Sequence, residues 1–342
     1  MTDSSNVFII AEAGVNHNGE IELAKELCRV AKEAGADCVK FQTYRTEDIV
    51  VKQAELTACQ RGNSSVVANS QFELLKSLEL SYEDFREIKS YCDSIDIVFL
   101  STPDEKKSLD FLCELGLPVI KIGSGELNNL PFLREVGKKG KEVILSTGMS
   151  TLEEVGAAIE AVLSQGLLRE HLSILHCTSA YPTPYSDVNL KAMQTLKDTF
   201  KVNVGYSDHT LGIEVSIAAV ALGAVIIEKH FTVDRNLPGP DHGSSIEPSE
   251  LKRMIESIRN VERCLGNGAK EISASEKSNR IAVRKSLVAS CEIKEGEVFS
   301  LDNLAFKRPG LGLVPSCLEL LLGRKAKKSY LTDELISPQE IE

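Results

Sequence analysis

Short apolar runs, each closing on small or polar residues, recur eight times along the chain. They are VFIIAEAG (7–14), CVKFQTY (38–44), IVFLSTP (97–103), VIKIGSG (119–125), VILSTG (143–148), LSILHCTS (172–179), VNVGYSDH (202–209) and AVIIEKHF (224–231). Continuous β-rich runs of this length predict strands buried on both faces. Helix-patterned segments lie between them. IELAKELCRVAKEAGA has apolar residues at helical spacing and a glycine near its end, and STLEEVGAAIEAVLSQG opens on a capping box from Thr151 to Glu154. IEVSIAAVALGA is apolar almost all round, and PSELKRMIESIRNVERCLG completes the last unit.

This alternation predicts an α/β chain with a parallel sheet covered on its outside, and eight units predict a closed (β/α)8 TIM barrel. A doubly wound open sheet is the competing architecture, but no G-x-G-x-x-G follows the first strand. The polar, Gln/Ser/Asn-rich insertion from 45 to 80 reads as a rim loop or lid. From about residue 283 the runs become short and alternating, with glycine turns, as expected of a small β-rich domain. The expected division is a barrel over 1–272, a polar linker over 273–282 and a C-terminal domain over 283–342.

Composition narrows the class. The 342 residues are 42% apolar and carry a formal net charge of -11. That balance argues against a nucleic-acid partner, whose footprint is a basic face, while leaving room for a local basic pocket. Nine scattered cysteines without a C-x-x-C pair suit a reducing compartment rather than a disulfide framework. The start lacks a basic n-region, and the longest near-apolar run, VSIAAVALGAVII, is too short to span a bilayer. The expectation is a cytoplasmic protein with no membrane association.

Polar residues gather at the strand ends, where a barrel of this kind builds its active site. The strand period of two puts Lys40 with Gln42, Ser207 with His209 and Glu228 with His230 on shared faces, and Glu12 closes the first strand. Lys40 and Lys121, the hydroxyls of Ser124, Ser146, Thr147 and Ser207, and Gly123, Gly125 and Gly148 would suit a phosphate. His209 and His230 end consecutive strands on the inward parity, and two imidazoles so placed can converge on one cation, with Glu12, Asp208 and Asp241 nearby. Lys229 alternates away from His230, toward the helices or a salt bridge. His17 and His242 fall in loops and read as rim residues.

FIIAEAGVNHNG, VKFQTY, KIGSGE, LSTGM, HCTSAYPTP, GYSDHT, EKHFTVD and GPDHGSSIEP resemble, in order, the signature blocks of the sialic acid synthase family. The tail SLVASCEIKEGEVFSLDNLAFKRPGLG resembles the antifreeze-like (SAF) domain that ends these enzymes. The resemblance implies a synthase that joins phosphoenolpyruvate to an N-acetylated hexosamine, giving a nine-carbon sugar acid and phosphate. It also implies a divalent metal, Mn2+ or Mg2+, and a homodimer whose small domains cover each other's barrel mouths. By the same resemblance, His209 and His230 bind the metal, and Lys40, Lys121, Ser124, Ser146 and Ser207 take phosphoenolpyruvate. Glu12 manages protons or orients water, and Gln42, Tyr181 and Asp241 contact sugar or metal-bound water. Thr102, Glu126 and Ser179 join the substrate-binding set, and Arg308 reaches the sugar from the neighbouring chain.

Two positions depart from the commonest bacterial blocks. Asp104 in STPDE stands where many members carry Phe, and Ser179 in CTSAYP where bacterial members often have Asn or Thr. The second spelling is also that of the animal enzymes, which prefer a phosphorylated sugar, whereas GYSDHTLGIE and KRPGLG look bacterial. The expected acceptor is N-acetylmannosamine or 2,4-diacetamido-2,4,6-trideoxymannose. Pseudaminate synthesis, a sialic acid 9-phosphate synthase and a Schiff-base sugar-acid lyase on the same barrel are the alternatives.

Overall fold

The computed structural model describes residues 6–56 and 68–341. All eight expected strands form: β1 (Phe8–Gly14), β2 (Cys38–Thr43), β3 (Val98–Pro103), β4 (Val119–Ile122), β5 (Glu142–Ser146), β6 (Leu172–Cys177), β7 (Asn203–Asp208) and β8 (Ile226–His230). They pair in parallel in the order β3-β2-β1-β8-β7-β6-β5-β4. The two end strands, β3 and β4, lie side by side, so the sheet is a nearly closed TIM-like barrel.

Side-chain alternation sorts the strands into two cores. Ile9, Val39, Phe41, Phe99, Ile120, Leu145, Ile174, Val204 and Ile227 point outward and pack under the surrounding helices. Ile10, Cys38, Leu100, Val119, Ile144, Leu175 and Ile226 point inward and fill the barrel with one apolar layer. Each comes from a different strand, and β7 supplies none. Its inward residue at this level is Gly205, where an added Cβ would lie 2.5 Å from the Ile226 carbonyl oxygen and 2.6 Å from Leu175 Cδ2. The layer is complete only because that strand brings no side chain.

The helices follow from the same pattern. Ile21–Ala34 ends on Gly35 at φ 91, a left-handed cap that satisfies the last carbonyls. Leu152–Leu163 opens on the Thr151–Glu154 capping box expected from sequence. Pro248–Leu265 packs between the helices Ile21–Ala34 and Glu214–Ala221, burying Leu251, Met254, Ile255 and Ile258. No helix of the described residues is long and apolar enough to cross a membrane.

The insertion expected to be a rim loop or lid is in part a packed element. Residues 57–67 lie outside the described residues, but Gln71–Leu78 is helical and buries Leu74 and Leu78. With Val15 and Tyr44 these side chains make a small core of their own. The Phe72, Leu74, Leu75 and Leu78 spacing carries that signal, obscured by the polar residues around it.

The chain divides into compact units at residues 1–266 and 267–342. Within the second unit the polar stretch read as a linker turns helical over Lys277–Val283. β9 (Ser286–Ala289) and β10 (Leu304–Lys307) pair antiparallel there. Leu287, Ile293, Phe299, Leu321, Tyr330 and Ile336 form its core.

Candidate active site

One level above the apolar layer the inward positions change character. Strand register sets Glu12 of β1 opposite Lys40 of β2 on one side and His230 of β8 on the other. Ser207 of β7 stands opposite Glu228 of β8. Three adjacent strands therefore bring base, acid and imidazole to one rung, and the Ser207–Glu228 pair lies two residues earlier along β8.

These groups line a cavity of about 590 Å3 at the strands' C-terminal ends. The expected residues Glu12, Lys40, Gln42, Thr102, Lys121, Ser124, Ser146, Ser179, Tyr181, Ser207, His209, His230 and Asp241 all line it. Glu126 does not. It sits in the turn after β4, where its carboxylate accepts a 2.7 Å hydrogen bond from the Asn129 amide. Arg308 belongs to the second unit, where it is exposed.

The floor is a buried four-charge cluster. Lys40 Nζ lies 2.7 Å from Glu12 Oε2 and 3.7 Å from Glu228 Oε2, and Lys121 Nζ lies 3.5 Å from the same Glu228 oxygen. Lys40 also donates to Thr102 Oγ1 (3.1 Å), Lys121 to Ser146 Oγ (2.8 Å), and Ser207 Oγ to Glu228 Oε1 (2.9 Å). All four charged residues are at most 4% exposed.

Burial drives the two carboxyls up, but their neighbours part them. Glu228 faces both ammoniums and the Ser207 hydroxyl, which outweigh burial and hold it at about 2. Glu12 has burial against it, with Lys40 as its chief counter-charge and Glu228 as a like charge, and rises to about 7. Burial lowers Lys121, whereas the two carboxylates overcome burial at Lys40 and keep it above its ordinary value. The cluster thus pairs a fixed anion with a carboxyl that exchanges its proton near neutrality.

His209 and His230 face each other beside this floor, ring centroids 5.5 Å apart, with Tyr181 4.3 Å from the His209 ring. Burial lowers both imidazoles, and His230 is pushed down further by His209 and Lys40, so both rings are neutral. The Thr178 carbonyl 2.7 Å from His209 Nδ1 only accepts, so that nitrogen carries the hydrogen. His209 Nε2 then offers a lone pair; its neighbour Ser207, 3.4 Å away, already gives its proton to Glu228. His230 Nδ1 is buried without a hydrogen-bond partner.

Two neutral imidazoles with uncommitted nitrogens fit a divalent cation. No cluster of three or more His, Cys, Asp or Glu converges among the described residues, so water or substrate oxygen would complete its shell. Asp241 also lines the cavity, its carboxyl raised to about 6 by burial.

Three expectations change. Asp208, expected beside the histidines, has the opposite parity and turns outward: Oδ2 pairs with Lys229 Nζ at 3.0 Å and accepts from Ser216 Oγ at 2.7 Å. His17 and His242, expected at the rim, are buried behind the mouth. His242 Nδ1 contacts Thr232 Oγ1 at 2.7 Å and its Nε2 contacts Asn18 Oδ1 at 3.2 Å, tying two loops together. Glu228, which parity places on the inward face with His230, has the two lysines as its ionic partners. Lys229 forms the salt bridge its parity predicts.

Sequence reasoning gave no role to Asp104, Met149 or Cys177, which also line the cavity. Gly148 fits against Ser124 and Ser179, whose hydroxyls would lie 2.9 and 2.4 Å from an added Cβ, and its N–H donates to Ser124 Oγ.

Comparison with known proteins bears on this geometry. The NeuB family model matches residues 27–270, and an SAF domain model matches 284–342. The N,N'-diacetyllegionaminic acid synthase of Campylobacter jejuni subsp. jejuni serotype O:2 is 48% identical, over 96% of this chain and 98% of that protein. The enzyme of the same name from Legionella pneumophila is 47% identical, over 94% and 91%. A crystal structure of N-acetylneuraminic acid (sialic acid) synthetase from Leptospira borgpetersenii, in complex with citrate, superposes with a TM-score of 0.70 at 36% identity, covering 80% of this chain and 90% of that one.

Proposed function

The chain belongs to the NeuB family of sialic-acid-type synthases, and from that premise we propose that it condenses phosphoenolpyruvate with an N-acetylated amino sugar. The products are a nine-carbon sugar acid and inorganic phosphate. The observation that carries the reading is the shared cavity: two buried lysines with Ser146 and Ser207 beside two neutral imidazoles. The names of the two bacterial relatives favour 2,4-diacetamido-2,4,6-trideoxymannose as acceptor over N-acetylmannosamine.

Lys40 and Lys121 bind the anionic ends of phosphoenolpyruvate, the Ser124 and Ser146 hydroxyls add donors, and Ser207 would join them by turning its proton from Glu228 to the ligand. Mn2+ or Mg2+ held by His209 and His230 would supply Lewis acidity to the sugar aldehyde. The enol carbon forms the new C–C bond to the aldehyde carbon, and the aldehyde oxygen takes the proton held on the Glu12 carboxyl. Water adds to the cationic carbon left behind, and its C–O bond to phosphate breaks, giving the keto acid. Glu12, raised to about 7 and seated between Lys40 and His230, accepts the proton released by that water. Tyr181, Gln42 and Asp241 line the sugar side.

The test is phosphate release from phosphoenolpyruvate with Mn2+ against N-acetylmannosamine, its 6-phosphate and the diacetamido-trideoxy sugars. Release with at least one sugar, lost in EDTA and restored by Mn2+, is expected; release with none overturns the reading. Borohydride trapping of a keto acid on a lysine would favour the lyase instead.

The reading includes a homodimer in which Arg308 of each chain serves the partner's cavity. Arg308→Ala and His230→Ala homodimers are each expected to be inactive. Mixing and reassociating them in equal parts should restore about a quarter of wild-type activity, because half the dimers are mixed and each carries one intact site. No recovery would mean that Arg308 does not serve the partner's cavity.

A further inference from the structure

Asp104 is a cavity carboxyl that none of these steps uses. Its backbone N–H donates to the Thr43 carbonyl at 3.2 Å, so the β2–β3 pairing runs one residue past β3 and fixes the position. Two residues beyond Thr102, it keeps the inward parity, and both line the cavity. Its carboxyl makes no hydrogen bond to the described protein, and burial and then the Glu126 carboxylate push it up to about 7. A half-buried acid with no structural partner, aimed into a binding cavity, is placed for a ligand.

Among the described residues, the floor pairs two cations with two carboxyls, whereas Asp104 and Asp241 line the cavity without a cation paired to either. Among the described residues, the cations lining the cavity are Lys40 and Lys121, both on the floor and both committed to Glu12 or Glu228. The ionisable groups nearer the opening, Asp104 and Asp241, are acids, and Glu126 stands behind the first. The partner's Arg308 would balance one of the two. A phosphate ester on the far end of the sugar would meet carboxyls, whereas a hydroxyl or amide N–H would find an acceptor.

We propose that Asp104 selects the acceptor: its carboxyl receives a hydroxyl or acylamino N–H of an unphosphorylated amino sugar and turns away the phosphorylated one. The inference rests on the synthase reading and specifies the substrate class of that site.

The test compares kcat and KM of wild type, Asp104→Asn and Asp104→Ala for three sugars: an N-acetylated hexosamine, its 6-phosphate and the diacetamido-trideoxy sugar. Wild type is expected to favour the unphosphorylated sugars by at least about 100-fold in kcat/KM. Asp104→Asn keeps the shape, loses the charge and should narrow that preference at least about tenfold, mainly through KM. Asp104→Ala should also raise KM for the unphosphorylated sugars about tenfold by removing the acceptor. Wild-type preference for the phosphorylated sugar, or a preference within about twofold of wild type in both variants, overturns the proposal. If wild type releases phosphate with no sugar, the synthase reading falls separately. Calorimetric dissociation constants of the same sugars then decide, and ratios equal in wild type and Asp104→Asn overturn the role of Asp104.

Discussion

His230→Ala is expected to lower kcat by at least about 1000-fold and to leave the protein folded, because losing a few kcal/mol of stabilisation at the reacting aldehyde costs that much in rate. The fold should tolerate the change. His230 Nδ1 is buried without a partner, so its removal strands no group, and the side chain borders a cavity rather than filling the core. Calorimetric titration with Mn2+ gives a readout independent of turnover. In the proposed metal site the two imidazoles are the nitrogen ligands, so removing one should weaken binding by at least about 100-fold. Activity within tenfold of wild type, or unchanged Mn2+ affinity, would take His230 out of the metal site.

The neighbouring position gives the opposite outcome. Lys229→Met is expected to cost about 3–5 kcal/mol of stability, because it leaves the Asp208 carboxylate buried without its counter-ion. Both side chains are 1% exposed, and Lys229 also donates to the Thr210 carbonyl at 2.5 Å. Asp208 would keep Thr210 N–H at 2.9 Å, Thr210 Oγ1 at 2.8 Å and Ser216 Oγ at 2.7 Å, too little to replace a formal charge. Adding Asp208→Asn removes the stranded charge and should recover at least half of the loss. Urea unfolding with an unchanged m-value measures both. A single-variant cost under about 1 kcal/mol would mean that the pair contributes little. On the proposed reading, adjacent residues of one strand thus divide the labour, one for chemistry and one for the fold.

That division was legible from sequence because strand parity needs only counting. The inward face of Glu228 and His230, the outward face of Lys229, and Ile226 inside with Ile227 outside all followed from a period of two. The eight-unit barrel was legible for the same reason: each strand and helix carries its pattern locally.

What sequence withheld was register. That Glu12 stands between Lys40 and His230 depends on how β1 aligns with both neighbours, and no single strand encodes it. The partner of Glu228 was missed for that reason. Parity placed it inward, but which cations it would meet depended on strands far away in the chain. Asp208 was misjudged through nearness in sequence to His209, although parity already separated them. His17 and His242 looked like rim residues because loop residues usually are; only the folded loops show them buried against Thr232 and Asn18. Asp104 stood out only as a departure from the family blocks and was given no role, because it lies one residue past its strand, where a solvated turn is the ordinary expectation.

The inward layer closed at Gly205 has a consequence for traffic. Seven side chains from seven strands, pressed against a glycine on the eighth, seal the barrel beneath the charged rung. The cavity is therefore a blind-ended vessel, and molecules sharing it queue. On the proposed reading, whatever rests on the lysines at the bottom enters before its companion, so the packing of a few aliphatic groups dictates an order of arrival that no polar residue needs to enforce.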